Sequence, residues 1–194
     1  MEKGEVLDFV RSMKPTDHVI MFYLQPEDKY HVLFTYLKAG LDRGEAAAYV
    51  ASQESPAQIK RAMRRFGIDV DKFQKSGALH IIDYRKWYII KGTFSIPGTM
   101  KRWKKLLDES TAKGFKGLRV AGEMAAFFKR RLVRRLVGYE QALHRVLELP
   151  LTAICAYDTS IVMREGRGKL LLELVKAHST VIYTGEELGL VKSY

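Results

Sequence analysis

Short, unbroken apolar runs that alternate with amphipathic stretches constrain this chain more than any other feature. The runs are Val19–Leu24, Ala46–Ala51, Leu79–Asp83, Gly117–Ala121, Leu151–Tyr157 and Thr180–Tyr183. Each has the length of a strand and lacks the polar alternation of a half-solvated one, as strands covered on both faces do. Segments of helical period lie between them. Tyr30, Leu33, Phe34, Leu37 and Leu41 line one face of a helix over 27–43, and Gly44 suits its end. Pro56 stands at a first helical position behind Ser55, an N-cap, in a helix that runs to about Arg65 and stops at Gly67. Further helices are expected over 1–14, at Val70–Gln74, from Pro97-Gly98 to about Lys113, over about 128–147 and over Lys169–Ala177. Residues 84–94 are aromatic-rich and irregular. Such alternation predicts an α/β domain with a mainly parallel sheet.

The 194 residues suit one domain. Its expected organisation is an N-terminal helix over 1–14, a single domain over 15–185 and a tail over 186–194 that reads as a short turn. A hydrophobic fraction of 47% with 28% charged residues is that of a soluble globular protein. No apolar run approaches the roughly 18 residues of a membrane span, and residues 1–5 lack the apolar core of a secretory signal. A cytoplasmic address is therefore expected. Cys155 is the single cysteine, which excludes an internal disulfide and a cysteine-rich metal cluster. His18, His31, His80, His144 and His178 show no HxxxH or HExxH spacing, so neither a metal site nor a cofactor is expected. A net charge of +11 admits nucleic acid, acidic lipid surfaces or anionic ligands without choosing among them.

In open parallel sheets, ligands bind beyond the carboxyl ends of the strands. The residues that follow the strands here are Tyr23 to Asp28, Ser52 to Ser55, Asp83 with Tyr84, Trp87 and Tyr88, Gly122 with Glu123, and Tyr157 with Asp158. The first of these loops, Gln25-Pro26-Glu27-Asp28-Lys29, stands where a nucleotide-binding protein carries its phosphate loop. It has no glycine and two acids. Nowhere does the string Gly-x-x-x-x-Gly-Lys-[Ser/Thr] occur, and Gly166-Arg167-Gly168-Lys169 has the wrong spacing and reads as a turn before a helix. Glu27 and Asp28 would repel a polyphosphate, and Lys29 would offset only part of that. Hydrolysis of ATP by the usual route, and enzymatic activity generally, are not expected.

Several residues carry two readings. Glu123 is a general base, a metal-holding or ligand-contacting acid, or an acid favoured by a helix N-terminus, with contact or capping favoured over catalysis, and Asp83 and Asp158 face the same choice. Glu140 reads as an ordinary solvated or hydrogen-bonded acid. Tyr84, Trp87 and Tyr88 wall an apolar pocket or pack a core under a long connection. Cys155 lies within a buried strand, where a structural cysteine is the more frequent case. Arg130, Arg131, Arg134 and Arg135 cover one arc of the helix expected over 128–147, opposite Leu132, Leu136, Tyr139, Leu143 and Leu147. A solvated basic face is favoured there over a nucleic-acid stripe, because no DNA-reading motif accompanies it.

An ordered series of motifs resembles a known family. It runs from Asp17-His18 before Phe22-Tyr23, through Gly40-Leu41-x-x-Gly44-Glu45 before Tyr49-Val50, to Ser55-Pro56 before Phe66-Gly67-Ile68-Asp69-Val70. It continues with Gly117-Leu118-Arg119-Val120-x-Gly122-Glu123-Met124, Tyr139-Glu140 and Cys155-x-Tyr157-Asp158. Together these resemble the MEDS domain, the sensory domain of methanogens and methylotrophs named with the DcmR regulator, over roughly residues 15–185. That family is similar to the RecA/KaiC-like ATPases. The resemblance implies a three-layer RecA-like core that has lost its phosphate loop, and a sensory role toward small organic compounds. It implies that His18, Tyr23, Glu123, Tyr139, Glu140, Cys155, Tyr157 and Asp158 are the family-like residues. The chain departs from the family in its basic run at 129–135, and no attached kinase or DNA-binding domain is expected. Its output is therefore expected to pass through a separate signalling partner or a homo-oligomer.

The leading expectation is a non-catalytic sensor. A small molecule would bind between His18 and Tyr23, the Tyr84–Tyr88 segment, Glu123 and Cys155. One alternative is a degenerate KaiC/RecA-like nucleotide-binding protein. A second is a nucleic-acid accessory protein using Arg130, Arg131, Arg134 and Arg135.

Overall fold

A computed structural model of the chain describes residues 3–146, 151–164, 168–185 and 188–192. In chain order its strands are β1 (His18–Tyr23), β2 (Ala46–Ala51), β3 (Leu79–Asp83), β4 (Ile89–Ile90), β5 (Thr93–Phe94), β6 (Leu118–Glu123), β7 (Leu151–Asp158), β8 (Thr180–Thr184) and β9 (Leu188–Lys192). Its helices are α1 (Lys3–Ser12), α2 (Pro26–Asp42), α3 (Pro56–Arg65), α4 (Val70–Ser76), α5 (Tyr84–Trp87), α6 (Ile96–Ala112), α7 (Ala125–Lys129), α8 (Val133–Val146), α9 (Thr159–Arg164) and α10 (Gly168–Lys176). A seven-stranded sheet in the order β3-β2-β6-β7-β1-β8-β9 forms the middle layer. All its pairings are parallel except that of β8 with β9. No described helix is long and apolar enough to cross a membrane.

Side chains alternate across the sheet and divide the core in two. Val19, Met21 and Tyr23 of β1 pack with α1, α2, α3 and α4 on one face. Ile20 of β1 and Cys155 and Tyr157 of β7 pack with α6, α7, α8 and α10 on the other. Both layers follow from the apolar runs, because a strand buried on both sides needs helices on both sides. Local chemistry sets the helix ends. Ser55 and Gln58 close a reciprocal capping box with Pro56 next in line, and Gly77 ends α4 in the left-handed conformation.

Between the layers, Arg119 of β6 is buried and holds the α1 end of the molecule. Its guanidinium donates to the backbone carbonyls of Val10 at 3.0 Å, Tyr36 at 3.2 Å and Met13 at 3.3 Å, and its Nε pairs with Glu45. Gly40 makes room for this side chain, since a Cβ there would stand 2.4 Å from Arg119 Cδ.

The structure corrects three expectations. The helix expected over 128–147 is two helices. Arg131 takes a left-handed φ of 56° between them, and Leu132 N–H returns to the Phe127 carbonyl at 2.8 Å. Arg130 and Arg131 therefore lie in the break and do not share one helical arc with Arg134 and Arg135. The expected end of that helix, at residue 147, lies outside the described residues, as do positions 165–167 of the expected turn before α10. The expected tail is no turn over 188–192: Leu188–Lys192 is the antiparallel edge strand β9. Positions 186, 187, 193 and 194 fall outside the described residues. Residues 84–94 hold a single helical turn, α5, and the small β4–β5 ribbon.

Candidate functional site

At the carboxyl ends of β1, β2 and β6, on the α2 face, the loop after β1 turns inward. Pro26 opens α2 without a side-chain cap, and Lys29, in its first turn, is fully buried. Its Nζ lies 2.7 Å from Glu123 Oε1 and 2.9 Å from Glu54 Oε2. The Tyr23 and Tyr30 rings flank the ammonium at 5.2 and 4.9 Å. Glu123 also accepts the Tyr49 hydroxyl at 2.6 Å and the backbone N–H groups of Ser52 and Gln53 at 2.6 and 2.7 Å.

Both carboxylate oxygens of Glu123 are thus hydrogen-bonded. Burial opposes its ionisation, but the Lys29 ammonium and the surrounding donors hold its carboxyl below the usual glutamate range. Glu54 is pushed the other way, by burial and by the charge on Glu123. Glu123 is not the helix N-terminal acid of the second reading. It is the last residue of β6, and it ties the exit of β2 to the base of α2.

Asp158 caps α9 by accepting the Ile161 N–H at 3.1 Å, and takes the Gln53 amide at 2.8 Å. Gln53 in turn accepts the Tyr23 hydroxyl. Asp83 caps α5 through the Arg85 N–H at 2.8 Å.

On the other face a second polar group is buried within the apolar core under α8. His18 opens β1, Cys155 sits in mid-β7, Glu140 descends from α8, and His178 precedes β8. Glu140 Oε2 is 3.2 Å from Cys155 Sγ, 3.4 Å from His18 Nε2 and 3.7 Å from His178 Nε2. Cys155 Sγ is 3.5 Å from His18 Nε2. Glu140 Oε1 accepts the Tyr157 hydroxyl, and His178 Nδ1 faces the Leu174 carbonyl at 2.7 Å. The His18 and His178 rings lie 4.0 Å apart, and the exposed His144 stacks on His18 at 6.0 Å. Burial raises the Glu140 carboxyl and the Cys155 thiol, and lowers both His18 and His178 to about 3. Glu140 is therefore no solvated acid but the centre of a closed polar cluster.

The aromatic segment packs beside this cluster. Tyr88 lies against Phe127 and Tyr139 at 5.3 and 5.7 Å, and Trp87 against Trp103 at 4.5 Å. Trp103 Nε1 donates to the Tyr139 hydroxyl at 3.0 Å. The Tyr88 hydroxyl and the Trp87 indole N–H are buried and make no hydrogen bond of ordinary geometry among the described residues. Gly122 lies under the Tyr88 ring, where a Cβ would come within 2.3 Å of the hydroxyl oxygen. Tyr84 packs at the margin of this core.

The expected residues therefore gather in three places rather than one. Tyr23, Glu123 and Asp158 lie around the carboxyl edge. His18, Glu140, Cys155 and Tyr157 form the cluster under α8. Tyr84, Trp87, Tyr88 and Tyr139 belong to the aromatic core. His18 and Tyr23 cannot wall one pocket: they are at opposite ends of β1, about 17 Å apart, and a step of five positions, an odd one, puts them on opposite faces. Sequence reasoning places Glu54 after a strand but not beside Lys29, sets Lys29 only against phosphate, and tests His178 only by linear spacing. A signal for His178 was its place just before β8: once β8 pairs with β1, the residue there meets His18, whose carbonyl takes the Ser179 N–H at 2.8 Å. Open grooves lie elsewhere, about 830 Å³ between α8 and α10 and about 370 Å³ between α2 and α3.

Three comparisons place this architecture. The crystal structure of a KaiC-like protein from Pyrococcus horikoshii superposes with a TM-score of 0.62 at 18% identity, covering 91% of this chain and 76% of that one. The fold is thus the mainly parallel, helix-flanked RecA type of the KaiC-like protein. Short stretches match UPF0273 proteins: 48% identity over 44 residues in Thermotoga maritima, and 40% over 48 residues in Pyrococcus furiosus. These matches span only 18% and 19% of the relatives' lengths. The model of the methanogen/methylotroph DcmR sensory domain, MEDS, matches residues 17–179. With that match over most of its length, and with the RecA-type sheet beneath it, the chain belongs to the MEDS family.

Proposed function

We propose that the chain is a non-hydrolysing sensory domain that binds a small organic molecule and reports the bound state to a protein partner or to a second copy of itself. The observation that carries this reading is the buried Lys29 ammonium, which stands in the phosphate-loop position and is already matched by Glu123 and Glu54. A nucleotide triphosphate would have to draw Lys29 away. That would leave two carboxylates facing a polyanion in a low-dielectric setting, at a cost of several kcal/mol. The family's sensory character supports the same reading.

The groups left to meet a small molecule are aromatic. The Tyr88 hydroxyl and Trp87 N–H are polar handles in an apolar surround, the composition of sites that orient small ligands. Thermal shift and calorimetry with small alcohols, amines and halomethanes test this. At least one compound should raise the melting temperature, with the gain reduced in Tyr88→Phe or Trp87→Phe, while millimolar ATP with Mg²⁺ should not. If ATP stabilises the protein and no organic compound does, the reading fails. The degenerate nucleotide-binding alternative, which the KaiC-like fold supports, would then replace it.

A further inference from the structure

We propose that His18, Glu140, Cys155 and His178 form a closed, four-coordinate site for a divalent first-row transition metal of the zinc type. Their ligand atoms all lie within 4.8 Å of one another, and all four side chains are buried. Metal–ligand bonds of about 2.0–2.3 Å at tetrahedral angles place neighbouring ligand atoms about 3.3–3.8 Å apart. Of the separations among these atoms, 3.4, 3.5 and 3.7 Å fall within that spacing and 3.2 Å lies just short of it. The cluster therefore needs little movement to close on an ion.

Charge points to the same class of ion. A thiolate and a carboxylate with two neutral imidazoles carry a charge of −2, which a divalent cation neutralises within an apolar core. Binding displaces the Cys155 thiol proton, and the Glu140 proton if present, to solvent. Mixed sulfur, imidazole and carboxylate donors suit zinc over magnesium or calcium. The outer contacts fit as well. His178 Nδ1 lies 2.7 Å from the Leu174 carbonyl, so its Nε2 turns a lone pair toward Glu140, and Tyr157 holds the far oxygen of Glu140. Metal-binding histidines and carboxylates are oriented in this way by their outer partners.

With four protein ligands and no solvent-exposed side chain, the site is of the structural kind. It ties β1 and β7 to α8 and to the turn before β8. The ligands come from four separate segments, which is why linear histidine spacing could not reveal them. This site stands on its own geometry and does not depend on the sensory reading.

The test uses the full chain, stripped with chelator under anaerobic reducing conditions and titrated with Co²⁺. Expected are stoichiometric uptake, the strong visible bands of four-coordinate cobalt, and a near-ultraviolet thiolate-to-cobalt band that zinc abolishes. Cys155 is the single cysteine of the chain, so that band can arise nowhere else. Cys155→Ser should remove the band, and Glu140→Gln should alter the visible envelope. If either variant fails to fold, the wild-type spectrum decides alone. Absence of uptake, or a pale six-coordinate spectrum without the thiolate band, overturns the proposal and leaves the cluster a proton-sharing network.

Discussion

The two faces of the sheet bury polar groups of different make-up. On the α2 face, Lys29 supplies a cation to Glu123 and Glu54, and every oxygen of Glu123 has a donor. On the α8 face, His18, Glu140, Cys155 and His178 bring their ligand atoms within 4.8 Å of one another, and Glu140 accepts the Cys155 thiol and the Tyr157 hydroxyl. A group that contains its own counter-charge stabilises architecture, because any ligand must first break it. A group of mixed sulfur, imidazole and carboxylate donors with matched spacing is what the proposed metal site requires. The position after β1 is thus closed from within by Lys29, while the buried cluster beneath α8 is the place of the proposed metal site.

The largest expected effect breaks the first group. Lys29→Met leaves Glu123 buried without its cation and should cost about 3–5 kcal/mol in urea unfolding. Adding Glu123→Leu should recover much of that loss. A cost below about 1 kcal/mol for Lys29→Met alone would mean that the pair does not lock this face.

The second effect belongs to the other face. Zn²⁺ at a hundredfold excess over its Kd should raise wild-type stability by about 2.7 kcal/mol. That increment should vanish in Cys155→Ser and persist in folded Lys29→Met protein, since the two groups share no contact and independent sites add. Loss of the increment in Lys29→Met would show that the two faces are coupled after all.

A third test uses acid. The Glu123 carboxyl is held below its unfolded pKa, so its contribution is present above the ordinary glutamate range and is lost as pH falls through the lower folded value. Glu54, raised by burial and by Glu123, has the opposite sign: its cost is present above its raised pKa and is relieved as pH falls. Stability-versus-pH curves should therefore flatten on the acid side in Glu123→Gln and steepen in Glu54→Gln. The smallest effect is that of Tyr88→Phe. It removes a hydroxyl with no well-formed hydrogen bond and should change unfolding stability by less than about 1 kcal/mol, while still weakening ligand binding.

The strands were legible because burial on both faces writes itself as an unbroken apolar run. Ala46–Ala51 and Leu79–Asp83 stand within the expected bounds. β9 was not, because Leu188–Lys192 is a short, partly exposed edge whose apolar content depends on pairing with β8. The break at Arg131 was hidden because the basic run keeps helical period through a residue whose backbone leaves the helix. At the carboxyl edge, position at the ends of the strands picked out Tyr23, Glu123 and Asp158 but not which partners they meet. Lys29 reads as a phosphate lysine until Glu123 is seen to reach it from β6.

By itself the sequence determined the layered α/β class, the family, and the loss of phosphate-loop chemistry after β1, because these depend on local periodicity and on motifs contiguous in the chain. Tertiary structure alone decided that Lys29 closes that position, that His18 and Tyr23 face apart, and that His178 joins Glu140 and Cys155. Those facts depend on strand order and side-chain parity, which bring Lys29 to 2.7 Å from Glu123 and His178 to 3.7 Å from Glu140 in a core where unpaired charge is costly.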